Sequence, residues 1–103
     1  MDLVSDGLQP DHCAELLKAL AEPLRLRIVD ALREKPCNVS ELAERLDVEV
    51  MIASHHLGIL RHAGFVERQK LGRFAIYSLR PGIATRGHID LGCCQLKLPK
   101  EGA

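Results

Sequence analysis

Four cysteines carry the most reactive side chains of this sequence, and two of them, Cys93 and Cys94, are adjacent. Thiolates prefer soft metal ions, so an adjacent pair can chelate a thiophilic ion such as As(III). Trivalent arsenic favours three sulfur ligands, and Cys13 is a better candidate for the third thiol than Cys37. Oxidation of the pair, or packing of two small side chains against the body of the chain, are the alternative interpretations.

Cys13 and Cys37 each have a second interpretation. Cys13 falls on the apolar stripe of a predicted first helix, which is typical of core or dimer-seam packing. Cys37 stands beside a predicted helix start, a position that lowers the pKa of a thiol, although packing is the alternative there too.

Residues 54–80 carry five Lys or Arg side chains and one acidic side chain, a net charge of +4 in a chain whose formal net charge is 0. A local excess of positive charge is typical of a surface that holds phosphates. An ordinary solvated hairpin is the alternative interpretation. The candidate DNA-binding residues are Met51, Ser54, His55, Arg61, Arg68, Lys70 and Arg73.

A helix and a hairpin are predicted to position those residues. Apolar residues at helical spacing predict a helix over residues 50–62, closed by a left-handed Gly64. Aromatic and β-branched residues predict strands over residues 65–70 and 73–79, with a short turn at residues 71–72. A helix followed by a basic hairpin is the layout of a winged helix-turn-helix.

Three helical stripes precede that helix, so the predicted fold class is mainly α with a small β-hairpin. The first stripe has more apolar positions than one core face needs, which predicts a dimer contact through Leu16, Leu17 and Leu20. The third stripe follows Asn38, which with Glu41 is close to a capping box.

Composition restricts the function classes. Hydrophobic residues make up 47% of the 103 residues and aromatic residues 3%, which favours one domain of packed helices. Neither an apolar run that could span a membrane nor a signal-peptide pattern is visible, so we expect a cytoplasmic protein without a membrane partner. In that compartment the cysteines are expected to be thiols, ligands or redox sensors. Neither a catalytic nucleophile–base set nor a glycine-rich phosphate loop is visible, so an enzyme is not predicted.

Four segments of the chain resemble the ArsR/SmtB family of bacterial winged-helix repressors. They are ALAEPLRLRIVDAL (residues 19–32), SELAERL (40–46), SHHLGILRHAGFV (54–66) and GRFAIYSL (72–79). The resemblance implies a homodimer that binds double-stranded operator DNA and releases it on a metal, metalloid or redox signal. It implies no required cofactor, with As(III) or another thiophilic ion as inducer. Some arsenic-responsive members of this family carry an adjacent cysteine pair near the C-terminus.

The chain departs from the family pattern at several positions. The family usually starts its recognition helix with polar residues, whereas this chain has Val50, Met51 and Ile52, which can contact only thymine methyls. Gly58 replaces a long basic residue. The family's two-cysteine site on the third helix is absent, and the residues after position 80 do not resemble its long closing helix.

The sequence therefore predicts three segments: a flexible arm at residues 1–9, a winged helix-turn-helix DNA-binding domain at residues 10–80, and a cysteine-containing tail at residues 81–103 that is extended or forms short strands. The predicted function is a DNA-binding repressor controlled by its thiols. A winged-helix protein-interaction module, or a regulator that responds to thiol oxidation alone, are the alternatives.

Overall fold

The computed structural model describes residues 9–85 and 87–99. Nine elements follow one another along these residues, four helices and then five strands. The helices are α1 (Pro10–Leu20), α2 (Pro23–Glu34), α3 (Val39–Leu46) and α4 (Val50–His62). The strands are β1 (Val66–Leu71), β2 (Phe74–Leu79), β3 (Ala84–Thr85), β4 (His88–Asp90) and β5 (Gln95–Leu96).

Side-chain caps fix the starts of α2 and α3. Glu22 precedes α2, and its carboxylate accepts the backbone N–H groups of Leu24 and Arg25. Asn38 and Glu41 form the predicted capping box at α3, each side chain accepting the other residue's backbone N–H at 2.8 and 2.9 Å. Such caps satisfy N–H groups that have no partner within the helix.

The fourth helix ends as predicted, and the hairpin follows it at once. Gly64 has a φ of +92°, in the left-handed region that glycine adopts without strain. The strands β1 and β2 then pair antiparallel, with Leu71 opposite Phe74. The turn therefore lies at Gly72 and Arg73, one residue later than predicted, because Gly72 supplies the positive φ of +64° that a tight hairpin needs.

The tail forms a small antiparallel sheet in the order β3–β4–β5. This confirms the prediction of short strands, and the described part of the tail contains no closing helix. Ile89 and Leu91 of the tail are buried in the same core as the four helices. The guanidinium of Arg33 on α2 donates a hydrogen bond to the carbonyl oxygen of Leu98 at 3.0 Å, so the tail is also attached through its backbone.

One apolar core joins the helices, the base of the hairpin and the tail. Its most buried large side chains are Phe65, Ile28, Leu42, Leu57, Leu60, Ile89 and Val29. The fold class, mainly α with a small β-hairpin in a winged helix-turn-helix, is confirmed. Of the predicted flexible arm, only Gln9 belongs to the described residues. No helix among the residues described is long and apolar enough to cross a bilayer.

Candidate nucleic-acid interface and thiol site

Helix α4 has one fully buried face and one free face. Ala53, Leu57 and Leu60 are completely buried and fix the helix against the core. Ser54 and His55, rotated away from that face, are exposed. The candidate base-contacting side chains therefore point outward from a helix whose position the core determines.

The N-terminal turn of α4 adds an apolar surface to this free face. Met51 is 82% exposed, Val50 46% and Ile52 43%. Glu49 precedes the helix, and its side chain makes no capping hydrogen bond. At its other end, α4 presents the exposed Arg61. Every candidate residue on the helix is thus accessible to a ligand.

The hairpin that follows α4 carries exposed positive charge. Arg68, Lys70 and Arg73 are exposed, and no residue of the described chain forms an ion pair with them. Glu67, the acidic residue of this region, lies 3.9 Å from the guanidinium of Arg80. Arg73 lies in the turn itself, and Leu71 and Phe74 on either side of the turn are each 55% exposed. An unpaired cationic tip of this kind is suited to phosphate contacts.

His56 lies on the border of the buried face and is partly buried. Its Nδ1 lies 3.0 Å from Nη1 of Arg25 on α2, which can only donate, so Nδ1 accepts and the ring is neutral. Burial and the neighbouring Arg25 charge lower the pKa of His56, although the charge of Glu22 acts in the opposite direction. Nε of Arg25 also donates to the carbonyl of Ala19 on α1. Arg25 therefore links α1, α2 and α4 by hydrogen bonds.

Three of the four cysteines form one cluster. The sulfur atoms of Cys13, Cys93 and Cys94 all lie within 4.8 Å of one another. Cys13 is on α1, and the other two lie in the turn between β4 and β5, where the N–H of Leu91 donates to the carbonyl of Cys94 at 2.9 Å. The fold thus brings a residue 80 positions away to the adjacent pair.

A disulfide joins Cys13 to Cys93 and leaves Cys94 as a free thiol. The packing interpretation of Cys13 is incomplete, because its side chain is partly buried and its sulfur is also covalently bound to the tail. Oxidation of the adjacent pair with itself is also not the pairing found here. Sequence reasoning missed this disulfide because no local pattern connects α1 to residue 93.

Cys37 lies outside this cluster. It is 2% exposed, and its backbone pairs with that of Tyr77 through two hydrogen bonds of 3.1 and 2.8 Å. Burial raises the pKa of the Cys37 thiol, so the expected lowering by the helix start is wrong. Desolvation outweighs the helix terminus and the nearby Arg45 at this position. Cys37 therefore has a packing role, and it is not placed to act as a third ligand.

The three leucines predicted at a dimer seam divide into two groups. Leu16 and Leu20 are buried in the core of the chain itself. Leu17 is 39% exposed and remains available to a partner. A groove of about 490 Å³ lies between α1 and α4, lined by His12, Glu15 and His62 among others but not by Leu17. The dimer contact remains a prediction, now with Leu17 as its central residue.

Comparison with known proteins gives a family match. Residues 22–68 match the model of the family described as bacterial regulatory protein, arsR family. The chain is 45% identical over 69 residues to the HTH-type transcriptional repressor SmtB of Mycobacterium tuberculosis, a match that covers 67% of this chain and 51% of SmtB. Across three such relatives the chain spans between half and about three fifths of the relative's length.

Solved structures give the same result for the fold. HlyU from Vibrio cholerae aligns with a TM-score of 0.66 and 32% identity, over 80% of this chain and 84% of HlyU. The homodimeric winged helix-turn-helix domain of Mb0332 from Mycobacterium bovis aligns with a TM-score of 0.65 and 32% identity, over 67% of this chain and 64% of that domain.

Proposed function

This chain belongs to the ArsR family of bacterial regulatory proteins, and from that premise we propose that it represses transcription as a homodimer bound to operator DNA. Its thiols sense a thiophilic metalloid or an oxidant and weaken DNA binding. The proposed role is regulation by binding rather than catalysis, in the cytoplasm where the operator is accessible.

The charges of α4 and the hairpin support the DNA contact. Arg68, Lys70 and Arg73 supply cations that form no ion pair with the described residues, and such cations give affinity for any duplex through counterion release. Ser54 and His55 stand on the free face of α4, where polar groups can reach base edges in the major groove. Phosphate contacts thus position the protein, and a few helix residues choose the sequence.

The first helix supports the homodimer. Leu17 is the exposed apolar residue of α1, and a surface leucine of this kind is stabilised when a second copy covers it. The Mb0332 domain, which has a similar fold, is a homodimer, and this supports the homodimer proposed for this chain. The variant Leu17→Glu is expected to sediment as a monomer and to lose operator affinity, since one recognition helix then binds alone.

The observation that carries the sensing proposal is the convergence of the Cys13, Cys93 and Cys94 sulfurs within 4.8 Å. Three converging thiols fit trivalent arsenic, since soft sulfur ligands suit a soft acceptor. Arsenous acid reacts with three thiols, exchanging its three hydroxyl groups for sulfur and releasing three waters. The Cys13–Cys93 disulfide must therefore first be reduced to two thiols by a cellular dithiol, which is itself oxidised to a disulfide. The adjacent pair Cys93 and Cys94 alone offers arsenic two sulfur ligands instead of three.

The oxidant response uses two of the same thiols. When a peroxide oxidises Cys13 and Cys93, the two thiols lose two protons and two electrons, an S–S bond forms, and the peroxide is reduced to water or an alcohol. Disulfides in a reducing cytoplasm are usually transient and redox-sensing. The disulfide removes two arsenic ligands, so we propose that oxidation and metalloid binding exclude each other at this site.

The hydrogen bonds of Arg25 offer a route from the thiols to the DNA face. Arg25 contacts Ala19 on α1 and His56 on α4. A shift of α1 caused by tying Cys13 to the tail therefore changes the support of α4. An inducer acts only through its different affinity for the DNA-bound and free shapes, and this linkage supplies such a difference.

Cys94 provides the test that separates the two signals. Fluorescence polarisation of labelled duplex from upstream of the protein's own gene is measured with reduced protein, with arsenite and with hydrogen peroxide. We expect both agents to release DNA from the parent. Cys94→Ser should lose most of the arsenite response and keep the peroxide response, whereas Cys13→Ser should lose both. The matched control Cys37→Ala should keep both.

Other outcomes favour the alternatives. If arsenite still releases DNA from Cys94→Ser, the three-thiol site is not the sensor. If the parent protein responds to peroxide alone, it is a purely redox-controlled regulator. The exposed Val50, Met51 and Ile52 surface also supports a second candidate, a winged-helix protein-interaction module. That candidate predicts no salt-dependent binding of DNA under any redox condition.

A further inference from the structure

The N-terminal turn of α4 presents three consecutive apolar side chains to solvent. Val50, Met51 and Ile52 are each more than two fifths exposed, and Met51 is the most exposed large apolar residue of the described chain. Burying such side chains is favourable by an amount proportional to the apolar area removed from water. A surface of this kind at the leading end of a recognition helix needs an apolar partner.

The surrounding structure holds this turn in place. Ala53, the next residue, is completely buried, and Val48 before the helix packs against the core. The N–H groups of Ile52 and Ala53 donate to the carbonyl of Glu49 at 3.0 and 3.1 Å. The apolar side chains therefore stand on a fixed backbone, as direct base readout requires.

The major groove contains one apolar group, the C5-methyl of thymine. Residues at the N-terminus of a recognition helix are those that reach base edges. We propose that Val50, Met51 and Ile52 read thymine methyl groups, so that the operator half-site carries thymines opposite the start of α4. This inference rests on the proposed function and names the base chemistry that the DNA face selects.

Charge complementarity favours duplex DNA as the occupant of this patch. The exposed cations of the hairpin, which directly follows α4 in the chain and forms no ion pair through Arg68, Lys70 or Arg73 with the described residues, attract phosphates. Glu44, Asp47 and Glu49 line a pocket together with Ile52. These acids are repelled by phosphates, so the contact is limited to the first turn of α4, with Met51 as its most projecting residue.

The test removes the methyl groups without changing the sequence. Duplexes that the reduced protein selects from a randomised library are amplified with either thymidine or deoxyuridine triphosphate, and both products are titrated by fluorescence polarisation. We expect the deoxyuridine duplex to bind about fourfold more weakly for each methyl that the protein buries. A duplex with deoxyuridine only outside the protected region should bind like the parent duplex.

A chemical double-mutant cycle assigns the effect to the helix. Met51→Ala should reduce the ratio between the two duplexes, because that side chain no longer contacts the methyl. Arg73→Ala should lower affinity for both duplexes and leave their ratio unchanged. Equal affinity of the parent protein for both duplexes would overturn the inference while the proposed function stands. Failure to select any duplex would instead remove the proposed function itself and favour a protein partner for the patch.

Discussion

The DNA face and the thiol site differ in how far apart their residues lie along the chain. The candidate DNA contacts all come from residues 51–73, on one helix and the hairpin that follows it. The thiol site joins Cys13 on the first helix to Cys93 and Cys94 in the tail. The first site is a local arrangement on a fixed scaffold, whereas the second exists only when the tail packs correctly.

This difference separates two kinds of contribution to stability. Residues of the DNA face are exposed and make few internal contacts, so their replacement should affect binding more than folding. Residues of the thiol site close a long loop of the chain, so their replacement should affect both folding and signalling.

Opening the disulfide should have the largest effect on stability. The bond closes a loop with a sequence separation of 80 residues, for which loop-closure entropy predicts about 4 kcal/mol of stabilisation. Cys13→Ser should therefore lower the free energy of unfolding of the oxidised protein by about that amount, measured by urea denaturation. The reduced parent should match the mutant, and oxidised Cys94→Ser should remain like the oxidised parent. If the reduced parent is as stable as the oxidised one, the tail is held by packing alone.

Substitutions on the two faces of α4 should affect different properties, folding stability on the buried face and DNA affinity on the free face. Leu57 is completely buried, so Leu57→Ala should cost about 3 kcal/mol of folding free energy through lost burial and a cavity. Met51, on the free face, should change stability by less than about 0.5 kcal/mol when replaced by Ala, while DNA affinity falls. Thermal denaturation and fluorescence polarisation on the same pair of variants measure both quantities. A Met51→Ala variant that unfolds as readily as Leu57→Ala would mean that the patch is part of the core.

Much of the DNA face was predictable from the sequence because local rules determine it. Apolar spacing gave the bounds of α4, Gly64 gave its end, and the Asn38 capping box gave the start of α3. The hairpin was predicted with its turn one residue too early, since turn placement depends on which residue adopts the positive φ.

The thiol site was only partly predictable. The sequence identified Cys93, Cys94 and Cys13 as candidates by residue type, but the Cys13–Cys93 bond depends on a contact across the fold. The same limitation explains the error on Cys37. Its helix-start position suggested a lowered pKa, whereas pairing with Tyr77 buries the thiol and raises it.

The tip of the hairpin should contribute affinity without sequence preference. Arg73 lies in the turn and forms no ion pair with any residue that the structure describes, so Arg73→Ala should weaken binding to selected and random duplexes equally. The slope of log affinity against log salt concentration should become shallower by about 0.9 for the lost phosphate contact. The exposed Gln69→Ala on the same hairpin is a control without charge change. An unaltered slope would mean that Arg73 does not contact the phosphate backbone of the DNA.

Gly58 allows the reverse experiment on the DNA face. A Cβ at this position meets no atom within 4 Å, and the residue is exposed, so a side chain can leave the helix here without displacing a neighbour. Gly58→Lys should stabilise α4 by up to about 1 kcal/mol, because glycine is unfavourable in helix interiors. It should also steepen the salt dependence by about 0.9 if the new side chain reaches a phosphate. Gly58→Ala should give the gain in stability alone. Equal salt slopes for the two variants would mean that this part of α4 faces away from the DNA.

The smallest expected effect concerns His56, which lies between the two regions through its contact with Arg25. Burial lowers the pKa of His56, so the unfolded chain binds a proton more readily than the folded one near the ordinary histidine pKa of 6.5. Stability is therefore fully present above that pH and decreases as the pH falls through it. Protonation of His56 at Nδ1 also removes the acceptor of the hydrogen bond from Arg25. His56→Gln retains an acceptor and does not titrate, so urea denaturation from about pH 8 to about pH 5 should show a smaller loss for the mutant than for the parent. Parallel losses in both proteins would mean that other groups cause the acid sensitivity and that the link between α2 and α4 does not depend on the charge of His56.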